Sequence, residues 1–224
     1  MNELELTGRA RSHVIDLEAP RSTLHYEAVA AFLAMREAAA REQIDLQAAS
    51  SFRDFAAQLK IWNQKWEGTR PVYDRDGRKL ERSEVPDAAW VDAILRWSAI
   101  PGGSRHHWGS DLDIVDWAAI PQGYRLQLIP EEYAPQGIFG GLTAWLDANM
   151  RRFGFFRPYS SERGGVGPEP WHLSYAPVSM PALESLSLSM LRRTLTDSAL
   201  QGKSQVLARL PEIYTRFLLA VDFP

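Results

Sequence analysis

Apolar residues recur along much of the chain with the spacing of helices that bury one face. Four apolar side chains lie among alanines and glutamates over residues 22–43, and Ser22 offers a side-chain N-cap, so we predict an amphipathic helix there. A second helix is predicted to begin at Asp54, because aromatic and aliphatic residues share one helical face of the segment 55–66. The same spacing predicts further helices over 87–97, with Asp87 as its N-cap, and over 138–153, 183–195 and 206–221.

Alternating apolar and polar positions predict short strands between these helices. Residues 44–52 and the segment around Leu112 and Ile114 show this alternation, and short strands are also expected around the glycine-rich turn 164–167. The charged, turn-rich stretch 68–86 contains an Asp-Gly pair, which is typical of an exposed hairpin inserted into a domain. The chain is therefore predicted to mix helices with short strands.

Composition narrows the class of protein. The chain has 224 residues, 45% of them hydrophobic, which is enough to bury a core, and its net charge of -3 provides no overall basic field for nucleic acid. It contains 0 cysteines, so disulfides and thiolate metal sites are excluded. The N-terminal segment lacks the apolar run of a signal peptide, and no stretch is long and apolar enough to span a membrane. We therefore expect a soluble, cytoplasmic protein.

Two short segments concentrate histidines with acidic residues. In the first, His106 precedes a glycine turn and a predicted strand on which Asp111 and Asp113 point to one face, while the apolar residues between them point into the core. In the second segment, Glu169 and His172 lie three positions apart. An acidic face on a strand whose other face is apolar indicates contact with something cationic, and a divalent metal is one candidate.

These residues suit a metal-dependent hydrolase. Zinc in a catalytic site takes three protein ligands, which His106, Asp113 and His172 would provide, and leaves a fourth position for a water whose pKa falls to about 7. Glu169 is then the spare carboxylate that can accept a proton from that water, and Arg53 can stabilise a developing oxyanion. Taken alone, each element has a simpler interpretation: His106 and Asp113 could form an ordinary hydrogen bond, and Arg53 could be a structural ion-pair partner.

Three motifs, in order along the chain, resemble those of a known family. The segment 104–113 is similar to the S-x-H-x-x-G-x-x-x-D motif of the LAS (lysostaphin, D-Ala-D-Ala peptidase, hedgehog) zinc metallopeptidases. The segment 169–172 looks like the E-P-W-H motif of their VanY-type D-alanyl-D-alanine carboxypeptidase branch, and 50–58 is similar to the S-G-Y-R-S-x-x-x-Q segment of that branch. The resemblance spans residues 50–175 and is specific because all three motifs occur in the right order.

The resemblance implies a role for residues of each motif. It implies that His106, Asp113 and His172 bind one Zn²⁺, that Glu169 is the general base and acid, and that Arg53 polarises the scissile carbonyl. Three further residues would line the substrate site: Ser104, Gln58 and Trp171.

The sequence departs from the family pattern beside this site. Ser51 and Phe52 replace the usual glycine and tyrosine, so a hydroxyl near the arginine is missing. Asp111 occupies a position that is often a small residue in the family, which makes it a candidate extra acid near the metal. His107 offers an alternative ligand directly beside His106.

The family fold is of the α+β class, with a small central antiparallel sheet flanked by helices and the metal in an open cleft. We expect residues 1–180 to form this domain, with an insertion at 68–86, and residues 181–224 to form a helical extension packed on it. The expected activity is zinc-dependent hydrolysis of D,D or L,D peptide bonds at the D-amino-acid end of peptidoglycan stem peptides. The expected partner is that peptide substrate, without nucleic acid or a membrane span, and both monomer and dimer remain open.

Two other functions are consistent with the same residues. The protein could be a peptidoglycan endopeptidase or endolysin that acts on intact cell wall, or a zinc-binding domain without catalytic activity. The presence of Glu169 and Arg53 favours catalysis, because structural zinc requires neither residue.

Overall fold

The computed structural model, which describes residues 1–224, contains eight short strands. They are Val14–Glu18 (β1), Arg21–His25 (β2), Leu46–Ser50 (β3), Val72–Tyr73 (β4), Lys79–Leu80 (β5), Asp111–Asp116 (β6), Phe155–Phe156 (β7) and His172–Tyr175 (β8). Four of them form one antiparallel sheet in the order β3-β6-β8-β7, while β1 pairs with β2 and β4 pairs with β5 as separate hairpins. The β4-β5 hairpin lies in the segment for which an inserted hairpin is predicted.

Ten α-helices accompany the sheet. They are Glu3–Leu6 (α1), Tyr26–Ala40 (α2), Phe55–Trp66 (α3), Asp87–Trp97 (α4), Pro130–Tyr133 (α5), Gly140–Asn149 (α6), Ala176–Ser185 (α7), Leu188–Thr196 (α8), Lys203–Ala208 (α9) and Leu210–Ile213 (α10). A π-helical segment, Tyr214–Leu219, follows α10, and 3-10 turns cover Arg82–Glu84, Arg105–Trp108, Trp117–Ala119 and Met150–Phe153. The predicted α+β class, with a small antiparallel sheet flanked by helices, is confirmed.

The second strand of the sheet, β6, is buried along its whole length between β3 and β8. Leu112 and Ile114 are fully buried and belong to the hydrophobic core. Side chains alternate between the two faces of a strand, so Asp111 and Asp113 share the opposite face. Asp111 and Asp113 are therefore buried, and the groups packed around them determine their pKa values.

The buried apolar residues form two hydrophobic cores. One packs the sheet against α2 and α6 through residues such as Phe32 and Leu146. The other joins α3 and α4 to the helices that follow residue 181, with Trp62 of α3 and Leu191 of α8 among its fully buried members. The indole Nε1 of Trp62 also donates to the carbonyl of Gln201 at 3.1 Å. Helix α3 therefore packs against the C-terminal helices and is hydrogen-bonded to the segment between α8 and α9.

Helix α3 begins where its sequence predicts. The carboxylate of Asp54 accepts a hydrogen bond from the backbone N–H of Ala57 at 2.7 Å, as an N-cap does. Gln58, Trp62 and Lys65 are the buried residues of the helix. Gln58 and Lys65 are seven residues apart, which is two helical turns, so they lie on the same face.

The helix predicted to begin at Ser22 begins instead at Tyr26. Residues 21–25 form β2, in which Leu24 pairs with Ile15 and is fully buried. His25, rather than Ser22, is the N-cap, since its Nδ1 accepts from the backbone N–H of Glu27 at 3.2 Å. The prediction was wrong because pairing with β1 decides the conformation of 22–25, and this pairing is not visible in the local apolar spacing.

Other predicted boundaries also differ, and the helix predicted over 206–221 is divided into α9, α10 and the π-helical segment. Asp87 is the first residue of α4 and not its N-cap, and its carboxylate accepts hydrogen bonds from Arg82 and Gln205 instead. The single helix predicted over 183–195 is two helices, α7 and α8, with Ser187 as the N-cap of the second. The Ser187 hydroxyl accepts a hydrogen bond from the backbone N–H of Met190, so a new helix can begin here without leaving that N–H group unpaired.

Candidate metal centre and active site

Two histidines and an aspartate from separate parts of the chain meet beside the sheet. His106 lies on the 3-10 turn Arg105–Trp108, Asp113 lies on β6, and His172 is the first residue of β8. Asp113 and His172 are direct partners in the antiparallel register of the two strands. One potential ligand atom from each of the three residues lies within 4.8 Å of the others, and all three residues are buried. The structure thus brings together the three predicted metal ligands.

Hydrogen bonds from outside the cluster orient both imidazole rings. His106 Nδ1 donates to the carbonyl of Ser51 at 2.9 Å, which leaves its Nε2 3.5 Å from Asp113 Oδ2. His172 Nε2 donates to Asp111 Oδ1 at 2.9 Å, which leaves its Nδ1 3.4 Å from Asp113 Oδ1. Because carbonyl and carboxylate oxygens accept, the outer nitrogen of each ring carries a proton and the inner nitrogen faces Asp113.

The donor set fits a divalent cation such as zinc. Two imidazole nitrogens and one carboxylate are ligands that zinc accepts in catalytic sites. Asp113 Oδ1 is buried and has no hydrogen-bond partner, so part of this carboxylate is left available. Burial alone would raise the pKa of Asp113, but the neighbouring charges of His106, His172 and Arg53 outweigh burial and hold its pKa below the usual value. An ionised carboxylate with an unpaired oxygen attracts a cation at this point.

Asp111 is an orienting residue for His172. It is fully buried, and besides His172 its carboxylate accepts from Arg105 Nε at 2.8 Å, from Ser110 Oγ at 2.5 Å and from Ser174 Oγ at 3.1 Å. Burial would raise the pKa of Asp111, but the Arg105 guanidinium and the hydrogen bonds hold it far below its usual range. Both carboxylate oxygens of Asp111 accept hydrogen bonds from protein groups, so Asp111 is not available as an additional acid beside the metal position. The alternation of side chains on β6 was the signal that placed it near the cluster.

Glu169 lies directly beside the cluster. Its Oε2 is 3.1 Å from Nδ1 of His172, and its side chain is 12% exposed. The backbone N–H of Glu169 donates to the carbonyl of Tyr159 at 2.9 Å, which fixes the loop that carries the carboxylate. Burial works to lower the pKa of His172, but hydrogen bonds to Asp111 and Glu169 raise it to about 10. Both ring nitrogens of His172 therefore donate to carboxylates, and a metal bound at Nδ1 would take the place of the proton that this nitrogen carries here.

Arg53 is joined to the turn of His106, since its backbone N–H donates to the carbonyl of His106 at 3.1 Å, and its side chain is held by neutral groups. Its Nη1 donates to Gln58 Oε1 at 2.7 Å and its Nη2 donates to Ser50 Oγ at 3.0 Å. Gln58 in turn donates from Nε2 to the carbonyl of Ala99 at 2.6 Å, so its amide is fully oriented. No carboxylate oxygen lies within 4.0 Å of the guanidinium, so Arg53 is not a structural ion-pair partner in this structure. Burial lowers the pKa of Arg53, and the charge of Asp113 acts in the opposite direction.

The other predicted site residues occupy different surroundings. Ser104 is buried at the start of the turn that carries His106, where its carbonyl accepts from the N–H of His107 at 3.0 Å. Trp171 is buried in the core beneath the sheet, with its ring centroid 5.7 Å from that of Tyr133. Of the three, Gln58 is the one whose side chain binds Arg53.

His107 does not share the metal cluster with its neighbour. Its Nδ1 donates to the carbonyl of Arg53 at 2.6 Å, and its Nε2 accepts from the N–H of Gly102 at 3.0 Å, so both nitrogens are used. Burial lowers its pKa to about 4, which keeps the ring neutral. Gly8 packs on this ring, and a side chain at that position would meet the imidazole at 2.3 Å. His107 is a structural residue, and the alternative in which it replaces His106 as a ligand does not hold.

Solved structures share this fold. The chain aligns with the vancomycin resistance D,D-pentapeptidase VanY in complex with Zn(II) at a TM-score of 0.50 and 23% identity, covering 76% of this chain and 82% of the other. It aligns equally with VanYB in complex with D-alanine-D-alanine, at a TM-score of 0.50 and 21% identity, covering 83% and 89% of the two chains. At these identities the likeness shows a common fold.

The fold and the family match together define a small α+β peptidase. The chain belongs to the VanY family of D-alanyl-D-alanine carboxypeptidases, whose sequence model matches residues 21–178. A relative described only as an uncharacterized protein of Haemophilus influenzae is 44% identical over 98 residues, which cover 42% of this chain and 67% of the relative. The D-alanyl-D-alanine carboxypeptidase of Enterococcus faecalis is 33% identical over 130 residues, which cover 57% of this chain and 38% of that protein. None of the helices has the combined length and apolar character needed to cross a lipid bilayer.

Proposed function

We propose that this protein is a zinc-dependent carboxypeptidase that removes a D-amino acid from the end of peptidoglycan stem peptides. The observation that carries the proposal is the placement of Glu169 Oε2 3.1 Å from Nδ1 of His172, beside a cluster that fits a metal ion. The family match supports hydrolysis of peptidoglycan peptides, and the comparison proteins described as complexes with Zn(II) and with D-alanine-D-alanine support the metal and the substrate class.

Three residues would hold the metal. His106 would contribute Nε2, His172 would contribute Nδ1, and Asp113 would contribute a carboxylate oxygen. Bound there, zinc supplies a Lewis acid for the scissile carbonyl and lowers the pKa of a water molecule.

Glu169 moves the protons in the proposed reaction. Its carboxylate accepts a proton from the attacking water while the water oxygen forms a bond to the carbonyl carbon. The protonated Glu169 then donates that proton to the amide nitrogen as the carbon–nitrogen bond breaks. The products are a shortened peptide with a new carboxyl group and a free D-amino acid; the second proton of the water leaves the new carboxyl group for the released amine, and Glu169 is returned to its ionised form.

Arg53 stabilises the negative charge that develops on the carbonyl oxygen. Its two terminal nitrogens are held by Gln58 and Ser50 without a neutralising carboxylate, so the positive charge remains available to the substrate. A preorganised donor of this kind needs little rearrangement at the moment of reaction, and that is the main source of its catalytic effect.

Mass spectrometry of the zinc-loaded protein with a panel of free and glycan-linked stem peptides tests the proposal. We expect loss of a terminal D-amino acid, and we expect Glu169→Ala to reduce the rate by about 10²- to 10⁴-fold while zinc stays bound. Glu184→Ala, which removes an exposed glutamate far along α7, is the matched control and should cleave normally. An active Glu169→Ala protein, or cleavage only within intact cross-linked wall, would reject the carboxypeptidase assignment.

A further inference from the structure

Helix α3 carries a buried lysine for which the fold provides no counter-ion. Lys65 is 8% exposed, yet no carboxylate oxygen lies within 4.0 Å of its ammonium group. Its Nζ donates to the hydroxyl of Ser98 at 2.7 Å, which is a neutral partner. Lysine is almost never buried unless it is paired, so an unpaired one has an energetic cost that needs an explanation. The sequence pattern did not single out this residue.

The surroundings of Lys65 place it beside the proposed active site. Gln58, two turns earlier on the same face of α3, donates to the carbonyl of Ala99, and Lys65 donates to the adjacent Ser98. Gln58 also binds Arg53. Arg53 and Lys65 are therefore linked by hydrogen bonds through Gln58 and the segment 98–99. Burial lowers the pKa of Lys65 to about 8; the charges of Arg70 and Arg53 act in the same direction, and the charge of Glu169 acts in the opposite direction.

Two cations therefore lie near the candidate metal centre with no carboxylate oxygen within 4.0 Å of either. Arg53 has neutral hydrogen-bond partners, and so has Lys65. The nearby acids Asp113 and Glu169 lie against His172 and form no ion pair with either cation. Removing a charge from water without a partner is unfavourable, and a ligand that brings the missing negative charge recovers that free energy. A carboxylate of the substrate is the anion that a carboxypeptidase reaction provides.

We propose that Lys65, positioned by Ser98, binds a carboxylate of the peptide substrate and so determines which peptides are cleaved. This inference rests on the proposed function, because it concerns the substrate of the same site. Two carboxylates could be the ligand: the C-terminal carboxylate of the departing residue, or a side-chain carboxylate further along the peptide. In either case Lys65 is a specificity-determining residue, and Arg53 remains the residue that faces the reacting carbonyl.

The test compares four peptides that differ only in charge: a stem peptide, its C-terminal amide, its side-chain amide and the double amide. Values of kcat/KM are measured for the wild type and for Lys65→Met, with zinc content measured in parallel. We expect the wild type to prefer one free acid over its amide by about 10- to 100-fold, and Lys65→Met to lose that preference while it still cleaves the double amide. Loss of the preference for the C-terminal acid identifies the first source, and loss of the preference for the side-chain acid identifies the second.

The control is Lys60→Met, which removes an exposed lysine from the same helix and should keep the wild-type preference. Lys65→Gln keeps a hydrogen-bond donor for Ser98 and provides a second variant if the methionine variant does not fold. A Lys65 variant that is folded, active and as selective as the wild type would overturn the inference. If the wild type cleaves none of the four peptides, the proposed function itself fails, so the two failures are distinguishable.

Discussion

Asp111 Oδ1 lies 2.9 Å from Nε2 of His172, and this contact turns the other nitrogen of the ring toward Asp113. The same carboxylate also accepts from Arg105 Nε at 2.8 Å, so the pair is anchored to a second charged group. The orientation of a proposed metal ligand is therefore set by a residue that does not itself face the metal position. Such outer contacts fix the tautomer and the direction of a ligating imidazole.

We predict that Asp111→Asn weakens zinc binding by about 10- to 100-fold, because the amide removes the negative charge that holds the His172 ring. Zinc affinity measured by competition with a chelator checks this, and circular dichroism shows whether the protein is folded. Asp197→Asn, which removes an exposed carboxylate at the end of α8, is the control. Equal zinc affinity for wild type and Asp111→Asn would contradict the orienting role.

His107 and His106 are adjacent in sequence, yet we expect opposite effects when each is replaced. His107→Ala removes a fully buried ring with two hydrogen bonds and should lower the free energy of unfolding by about 3 kcal/mol, through lost packing and unsatisfied partners. It should still bind one zinc. His106→Ala should lose zinc with a smaller loss of stability in the metal-free protein. Chemical denaturation and metal analysis of both variants test this prediction. Loss of zinc from a folded His107→Ala protein would show that His106 is wrongly assigned as the metal ligand.

Arg53→Lys should reduce kcat by about 10²- to 10³-fold with a smaller change in KM. A lysine keeps the charge but cannot reach both Gln58 and Ser50, so its position relative to the reacting carbonyl is no longer fixed. Steady-state kinetics on a cleaved stem peptide provide the measurement. A variant with raised KM and unchanged kcat would mean that Arg53 binds the ground state and does not act on the transition state.

The carboxylate of Asp222 ties the chain after α10 to the loop that precedes Glu169. It accepts from the backbone N–H of Ser160 at 2.9 Å, from that of Ser161 at 3.0 Å and from Arg163 Nε at 2.6 Å. Burial would raise its pKa, but these hydrogen bonds lower it from 3.8 to about 2. A folded-state pKa below the unfolded value stabilises the protein above about pH 4, and this stabilisation is lost as the pH falls toward about 2.

Asp222→Asn should therefore cost about 1 to 2 kcal/mol of unfolding free energy at pH 6, and the difference from the wild type should shrink between pH 4 and pH 2. Urea denaturation of both proteins at several pH values measures this directly. A difference that stays constant down to pH 2 would mean that the side chain contributes through packing and not through its charge.

An element could be predicted from the sequence where residues close together in the chain determine its conformation. The strand β6 could be predicted because its acids and apolar residues alternate, and α3 because Asp54 precedes a run with helical spacing. The start of α2 could not, because residues 22–25 take their conformation from pairing with β1, and the spacing of apolar residues does not record a partner strand.

The same distinction holds within the site. His106, Asp113 and His172 were named from motif spacing, and the fold places them together. The orienting role of Asp111 and the unpaired charge of Lys65 depend on which groups the fold places opposite them. A sequence lists residues but not the distances between them, so a missing counter-ion becomes visible only in three dimensions.

Helix α3 also depends on the far end of the chain. The indole of Trp62 and the amide of Asn63 donate to the carbonyls of Gln201 and Ala199. Trp108, at the end of the turn that carries His106, belongs to the same hydrophobic core as Trp62 and the helices that follow residue 181. Loss of the last helices would therefore expose this core and remove support both from α3 and from the turn that carries a candidate metal ligand.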